Sequence, residues 1–305
     1  MNELKLTVSV APHIRVKEDA GVIMRDVLIS LSPAVIASCV FFGWRAPVQV
    51  ATSIITCVLT EFIFQKALKK PVTVNDYSAA VTGMLFAFII PPASPIWMVI
   101  IGAVIAILLG KQIFGGLGNN PFNPALVSRA ILLTSWPVAM TCWIRPFDSI
   151  TCATPLQVVK MGLTEKIPAY LDMFIGNRAG CLGETSIAAL LLGGLYLLFR
   201  KRIKLHIPLS FIGVVFVVSA LSGRDPLFNV MAGGVVLGAF FMATDSVTSP
   251  ITNAGKLIFG TGCGLLTMLI RYNGGYPEGV CYAILIMNMF TPLIDRFTEH
   301  KPFGR

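Results

Sequence analysis

Seven residues near the middle of the chain, 148–154, combine an acid, two threonine hydroxyls and small side chains ahead of a proline. They read DSITCAT and are followed by PLQVVK. A threonine without a neighbouring base is a poor nucleophile, so Thr154 is not expected to act as a catalytic residue by itself. On an accessible loop it suits the role of acceptor for a group transferred by another enzyme. The alternative is a plain turn, because short motifs of this kind also arise by chance.

Glycine, asparagine and proline are concentrated in IFGGLGNNPFNPALVSRA, residues 113–130. The glycines permit tight turns, the asparagines offer amides, and the prolines suit a helix start. Free N–H groups at a helix N-terminus favour an anion or a polar ring edge, which makes Gly116, Asn120 and Asn123 candidate ligand contacts. The alternative is an ordinary loop whose glycines and prolines simply favour turns and a helix start.

Two further polar features lie within or beside apolar segments. Arg129 stands inside one of them, where an unpaired arginine is costly. It is therefore either functional or the structural partner of a carboxylate such as Glu61, or of carbonyls at a broken helix. MATDSVTSP, residues 242–250, follows another apolar segment. Asp245 and Thr248 in this string could bind a cation or a ring edge, or could simply cap a helix and form a turn.

The composition is that of an integral membrane protein. Apolar residues make up 55% of the 305 and charged residues only 13%, against about 25% charged in soluble domains. Mean hydropathy is +0.77. The net charge of +9 requires no nucleic-acid partner, because excess Lys and Arg in a membrane protein usually reports orientation. None of the seven cysteines forms a C-x-x-C pair, so we expect no metal site.

Apolar segments of about the length that crosses a bilayer recur along the whole chain. We predict ten spans, at about residues 27–43, 47–65, 77–92, 96–114, 122–140, 183–199, 207–223, 229–244, 255–271 and 278–295. They predict an all-α membrane protein with an N-terminal segment (1–26), two five-span halves (27–140 and 183–295), a long loop (141–182) and a tail (296–305).

The distribution of basic residues predicts the orientation of these spans. The side that holds both termini, to which we assign Lys111, carries more than twice as many Lys and Arg as the other. This places the termini in the cytoplasm and the loop 141–182 outside. NPALVSRAIL, residues 123–132, also aligns with YPEGVCYAIL, residues 276–285. With five spans per half, such repeats are inverted in the membrane and usually enclose a site at their interface.

Several strings in the same order resemble one known family. They are SVAPHIR (9–15), IMRDVLISLSPA (23–34), FGGLGNNPFNPALVSRA (114–130), ATPLQVVK (153–160) and MATDSVTSP (242–250). Nearly from end to end the chain resembles RnfD, a membrane subunit of the Rnf complex, which is an ion-translocating ferredoxin:NAD oxidoreductase. It is also similar to the relative of RnfD in the sodium-pumping NADH:quinone reductase, the subunit designated B.

The resemblance implies a covalent flavin. In this family a dedicated flavin transferase joins FMN through its phosphate to the threonine of an acid-x-x-hydroxyl-small-Ala-Thr motif. Carried over to this chain, Thr154 is the attachment residue, and Asp148, Thr151, Cys152 and Ala153 complete the motif. Cys152 replaces the more usual glycine or serine and is small enough to preserve attachment. The family also implies a second, non-covalent flavin, riboflavin, near the cytoplasmic side, and we expect the two polar turns described above to line it.

The expected function is therefore electron transfer in a prokaryotic cell membrane, coupled to movement of Na⁺ or H⁺. The implied partners are the other Rnf subunits, the flavin transferase and lipid. The chain has no Rossmann fingerprint for an NADH site of its own, and its few intramembrane acids are chiefly Glu61 and Glu278. The main alternative is an inverted-repeat solute or ion transporter without a redox cofactor, and a second is a purely structural scaffold subunit.

Overall fold

The fold of this computed structural model is built from helices over the residues that it describes, 19–148, 150–163 and 167–299. The string at 9–15, Ser149 and most of the tail 296–305 lie outside that description. The helices are α1 (Ala20–Phe42), α2 (Arg45–Ala67), α3 (Ser78–Phe88), α4 (Ile96–Ile107), α5 (Pro124–Ser135), α6 (Pro137–Met140), α7 (Pro155–Met161), α8 (Tyr170–Ile175), α9 (Ile187–Phe199), α10 (His206–Leu221), α11 (Pro226–Met231), α12 (Val235–Leu237), α13 (Asn253–Asn273) and α14 (Val280–Thr298). Five-residue π segments, Leu108–Gln112 and Gly238–Met242, extend α4 and α12.

Among the described residues, four helices are long and apolar enough to cross a membrane: α1, α2, α13 and α14. Shorter apolar helices accompany them, namely α3, α4 with its π segment, α5, α9 and α10. Large apolar side chains such as Ile36 and Leu209, 65% and 69% exposed, cover the outside of the bundle, as lipid contact requires. The predicted class, an all-α multi-pass membrane protein, is confirmed for the described residues.

Capping residues set the helix ends more sharply than hydropathy does. The Asp19 carboxylate accepts from the Ala20 N–H at 2.8 Å, so α1 begins at Ala20 rather than at the predicted residue 27. Gly43, with φ of 62°, ends the same helix.

The predicted span 229–244 is wrong as one continuous helix. The chain breaks between α11 and α12, where Gly233 and Gly234 have φ of 67° and 69°. This left-handed conformation interrupts a right-handed helix and is cheap only for glycine. The predicted span 122–140 is likewise divided, because Pro137 starts the short helix α6 after α5 has ended.

The two halves, taken here as the helices before and after the segment 141–182, pack against each other. α1 contacts α9, and α5 contacts α14. Within the first half α2 packs on α4, and within the second α10 packs on α13. Between the halves the segment 141–182 carries α7 and α8, and this segment positions the predicted attachment residue.

Candidate functional site

A small hairpin presents the motif that contains Thr154. Ile144 and Thr151 form an antiparallel bridge, and the Cys152 N–H donates to the Trp143 carbonyl at 3.0 Å. Asp148 lies exposed near the tip of this hairpin. The bridge therefore fixes the chain that leads into Thr154 and holds Trp143 beside it.

Thr154 is the N-cap of α7. Its Oγ1 accepts from the Gln157 N–H at 3.3 Å, and the Gln157 side-chain oxygen accepts from the Thr154 N–H at 3.0 Å. This reciprocal pair is a capping box, with Pro155 in the first helical position. The role of an acceptor predicts an accessible hydroxyl, but Thr154 is only 4% exposed because the cap turns its side chain onto the helix end.

A narrow cavity next to α7 lies between the two halves, and we name it the motif cavity. Its volume is about 40 Å³. Polar and charged groups on its wall come from the hairpin, from α7 and from both halves: Trp143, Gln157, Arg129, Glu184 and Glu278. The hairpin, α7 and the interface between the halves therefore meet at one place.

Arg129 joins the two halves across this cavity. Its guanidinium pairs with the Glu278 carboxylate, donates to the Ile89 carbonyl, and lies 3.2 Å from the Cys181 sulfur. The suggested partner Glu61 is wrong, because Glu61 pairs elsewhere. A buried arginine with a carboxylate and a carbonyl is satisfied, so Arg129 has a structural role whatever else it does.

The cavity wall admits no side chain at the break between α11 and α12. A Cβ on Gly234 would lie 2.7 Å from a Glu184 carboxylate oxygen, and one on Gly233 would lie 2.4 Å from the Leu156 side chain. Both glycines also have positive φ, so the backbone conformation and the lack of space each require glycine at these two positions. The break that divides the predicted span lets Glu184 and α7 approach closely.

Cys181, Glu184 and Glu278 bring their donor atoms within 4.8 Å of one another, a spacing that could suit a metal ion. Arg129 already donates to two of the three. A guanidinium thus supplies the positive charge that a cation would bring, and we assign no metal site here.

Lys160 fastens the far end of α7 to the turn before α14. Its Nζ donates to the carbonyls of Arg271, at 3.0 Å, and of Gly274. Burial lowers the pKa of Lys160, and the nearby positive charge of Arg224 lowers it further. The carbonyl partners hold α7 against the second half.

A second cavity, of about 90 Å³, lies between the halves away from the hairpin, and we name it the asparagine cavity. Asn120, Asn123, Asp245 and Lys111 line it. Asn123 caps α5 by accepting from the Ala125 N–H at 3.1 Å, and its amide nitrogen lies 3.5 Å from the Met242 carbonyl. The two polar turns singled out from sequence therefore meet at one cavity, although 119 residues separate Asn123 from Met242.

Lys111 and Glu61 form an ion pair in the wall of the asparagine cavity. The Lys111 Nζ lies 2.7 and 2.8 Å from the two Glu61 oxygens and 2.6 Å from the Ser78 hydroxyl. Lys111 is 2% exposed and Glu61 is fully buried. Lys111, which we counted with the basic residues of the side that holds both termini, is turned inward by the π segment after α4.

Of the residues predicted as ligand contacts, Gly116 and Thr248 do not line the asparagine cavity. Arg129 lines the motif cavity. Gly116, with φ of 100°, closes the turn before the asparagines. The Thr248 hydroxyl lies 3.4 Å from the Asp245 carboxylate and holds that side chain in place. Gly116 and Thr248 therefore support the residues that line the cavity without lining it themselves.

Several site residues were not predicted from the sequence, among them Gln157, Lys111 and Trp143. Gln157 carried a usable signal, because Thr-x-x-Gln is a capping box. Lys111 carried one too, because it fell within the predicted span 96–114. Trp143 carried none, since only the hairpin brings it beside Thr154.

The profile of the NQR2, RnfD, RnfE family matches residues 7–304. The chain belongs to this family. It is 50% identical to the subunit designated D of the Na⁺-translocating ferredoxin:NAD⁺ oxidoreductase complex from Acetobacterium woodii, over 100% of this chain and 97% of that protein. It is 47% identical to the proton-translocating counterpart from Clostridium ljungdahlii, over 98% and 96%. It is 37% identical to the corresponding subunit of the ion-translocating oxidoreductase complex from Aliivibrio salmonicida, over 96% and 97%. The resemblance inferred from the sequence strings is confirmed.

Proposed function

We propose that this chain is the membrane electron-transfer subunit of an ion-translocating ferredoxin:NAD oxidoreductase complex, with FMN joined through its phosphate to Thr154. The observation that carries this is the Asp148–Thr154 motif in a chain that aligns over its full length with subunits of such complexes. Bound flavin supplies the electron exchange. The proposed partners are the other subunits, the flavin transferase and lipid.

The environment of Thr154 is compatible with a phosphoester. In the described part of the chain its oxygen accepts a hydrogen bond and donates none. Esterification replaces the hydroxyl hydrogen and leaves the oxygen in place, so the helix cap can persist after attachment. Because Thr154 is 4% exposed, the transferase must open this cap to reach the hydroxyl.

Positive charge near the motif supports the same assignment. Arg145 and Arg178 line a cavity of about 190 Å³ together with Cys152, Ala153 and Pro155. Guanidinium groups form strong, charge-assisted hydrogen bonds with phosphate oxygens. Arg178 is also held by backbone carbonyls, including that of Thr185 at 3.2 Å, so its charge is fixed in place.

We place the second flavin, riboflavin, at the asparagine cavity. Asparagine amides and the Asp245 carboxylate match the donors and acceptors along the edge of an isoalloxazine ring. The cavity volume of about 90 Å³ is smaller than such a ring, so binding there requires the walls to separate.

The same proposal includes ten spans in two inverted halves, with both termini in the cytoplasm and the loop 141–182 outside. The contact of α1 with α9 and of α5 with α14 supports the repeat. So does the construction of the two cavities. Asn123, at the start of α5, reaches Met242 at the end of the π segment that extends α12. Glu278, just before α14, is bridged through Arg129 to Ile89 at the end of α3.

Denaturing gel electrophoresis under ultraviolet light tests the flavin assignment. The complex is produced with a flavin transferase, and we expect a fluorescent band at the mass of this chain. Thr154→Ala removes the attachment oxygen and should abolish the fluorescence completely. Thr134→Ala is a matched control, because the Thr134 hydroxyl bonds only to carbonyls of its own helix. This control should keep full fluorescence.

Mass spectrometry of the tryptic peptide with Thr154 gives an independent result. A mass increase of FMN less one water is expected on that peptide. A band that stays dark in the native chain, or fluorescence that survives Thr154→Ala, would overturn the assignment. A dark band together with solute uptake by the purified protein would favour the transporter alternative.

A further inference from the structure

The indole of Trp143 is a buried donor without a partner. Trp143 is 4% exposed, and its Nε1 has no hydrogen-bond acceptor among the described residues. An unsatisfied buried donor is rare in folded proteins and destabilises the folded state. Such a group calls for an explanation, and a ligand that supplies the missing acceptor is one.

The position of Trp143 ties this donor to the attachment motif. The Cys152 N–H donates to the Trp143 carbonyl, and the Cys152 side chain packs against the cluster that contains Trp143. Two residues after Cys152 comes Thr154. The hairpin therefore holds the indole and the predicted attachment oxygen in a fixed relation.

Trp143 also lines the motif cavity, where several other polar side chains are already engaged. Arg129 pairs with Glu278, Glu184 accepts from the Cys181 N–H at 3.0 Å, and Gln157 caps Thr154. Of the buried polar atoms that have no hydrogen bond among the described residues, the indole Nε1 is the one on this wall.

We propose that Trp143 is a flavin-contacting residue, whose Nε1–H donates a hydrogen bond to the isoalloxazine ring of the FMN carried by Thr154. This inference rests on the proposed function. The ring offers acceptor nitrogens and carbonyl oxygens, which suit an indole donor. Tyr276, 38% exposed, lines the same cavity. The ring is larger than the 40 Å³ void, so binding requires the cavity wall to move.

The hydrogen bond has a consequence for the flavin reduction potential. A reduced flavin is richer in electrons than the oxidised form, so its acceptor atoms bind the indole N–H more strongly. Trp143 therefore raises the midpoint potential of the flavin.

Trp143→Phe tests the proposal, because phenylalanine keeps an aromatic ring and removes the N–H. The matched control is Trp44→Phe, since Trp44 is 71% exposed and outside the cavity. The purified complex, loaded with FMN by the transferase, is titrated with dithionite while the flavin absorption is followed. For Trp143→Phe we expect a lower midpoint of the Thr154-linked flavin, by about five- to tenfold in the reduction equilibrium. Tenfold equals about 30 mV for two electrons.

The gel band separates this proposal from the one on which it rests. Both variants should keep the fluorescent band, because neither touches Thr154. A fluorescent Trp143→Phe protein with the midpoint and spectrum of Trp44→Phe overturns the role of Trp143 and leaves the attachment intact. A native chain without a band overturns the proposed function itself.

A second measurement covers the case in which Trp143→Phe fails to fold. The chain has four tryptophans, and replacing the other three by phenylalanine leaves Trp143 as the sole indole emitter of this protein. If its ring contacts FMN, adding Thr154→Ala to this chain should raise the indole emission severalfold. The two forms are compared after separation from the rest of the complex. Equal emission from them would contradict the contact.

Discussion

The motif cavity and the asparagine cavity are built alike but differ in how completely their polar groups are satisfied. Both lie between the halves, and both have a buried ion pair in the wall. Lys111 and Glu61 belong to the same half and are 2% and 0% exposed, whereas Arg129 and Glu278 bridge the halves and are 8% and 15% exposed. The difference in exposure indicates that the two ion pairs have different roles.

The Lys111–Glu61 pair is closed by its neighbours. Gln112 and Gln65 donate to the same Glu61 oxygen at 2.8 and 3.2 Å, and Ser78 accepts from Lys111. The wall of the motif cavity instead retains an unpartnered donor, the Trp143 indole. A saturated network stabilises one structure, while an incomplete one leaves room for a ligand to complete it.

The largest expected effect on stability comes from breaking the Lys111–Glu61 pair. Lys111→Met leaves the Glu61 charge buried without compensation and should lower the free energy of unfolding by about 3–5 kcal/mol. Thermal unfolding of the detergent-solubilised protein measures this. The double variant Lys111→Met with Glu61→Gln removes both charges and should recover much of the loss. If the single variant is as stable as the native protein, the pair is not the anchor described here.

A smaller effect is expected at the bridging pair. Glu278→Gln removes one charge but leaves Arg129 its bond to Ile89 and the nearby Glu184 charge, so the loss should be about 1–3 kcal/mol. The same unfolding measurement gives the value. A loss that equals that of Lys111→Met would abolish the distinction between the two cavities.

The smallest effect concerns the glycine break beside the motif cavity. Gly234→Ala places a Cβ at a left-handed position and against Glu184, and the backbone term alone should cost about 1–2 kcal/mol. Gly213→Ala is the matched control, because Gly213 lies inside α10 with open space around its Cβ. That change should stabilise slightly, by about 1 kcal/mol or less. Equal stability of the two variants would argue against the close approach at Gly234.

Much of the architecture could be predicted because membrane insertion is governed by local composition. Apolar length located α2, α13 and α14 closely, and short motifs identified the family. The errors arose where backbone geometry overrode hydropathy, as at Gly233–Gly234, which divides an apolar run, and at Pro137. Caps moved other ends, as Asp19 did for α1.

The sequence by itself determined the class of protein, the family and the motif that contains Thr154, because each is written in adjacent residues. The tertiary structure decided the partners of the buried charges. Arg129 and Glu278 lie 149 residues apart, and no spacing rule pairs them instead of Arg129 with Glu61. The tertiary structure also decided that Thr154 is buried and that the indole N–H of Trp143 has no hydrogen-bond acceptor among the described residues. Both depend on how a hairpin, a short helix and two halves close around one cavity, and packing of this kind is a property of the whole chain.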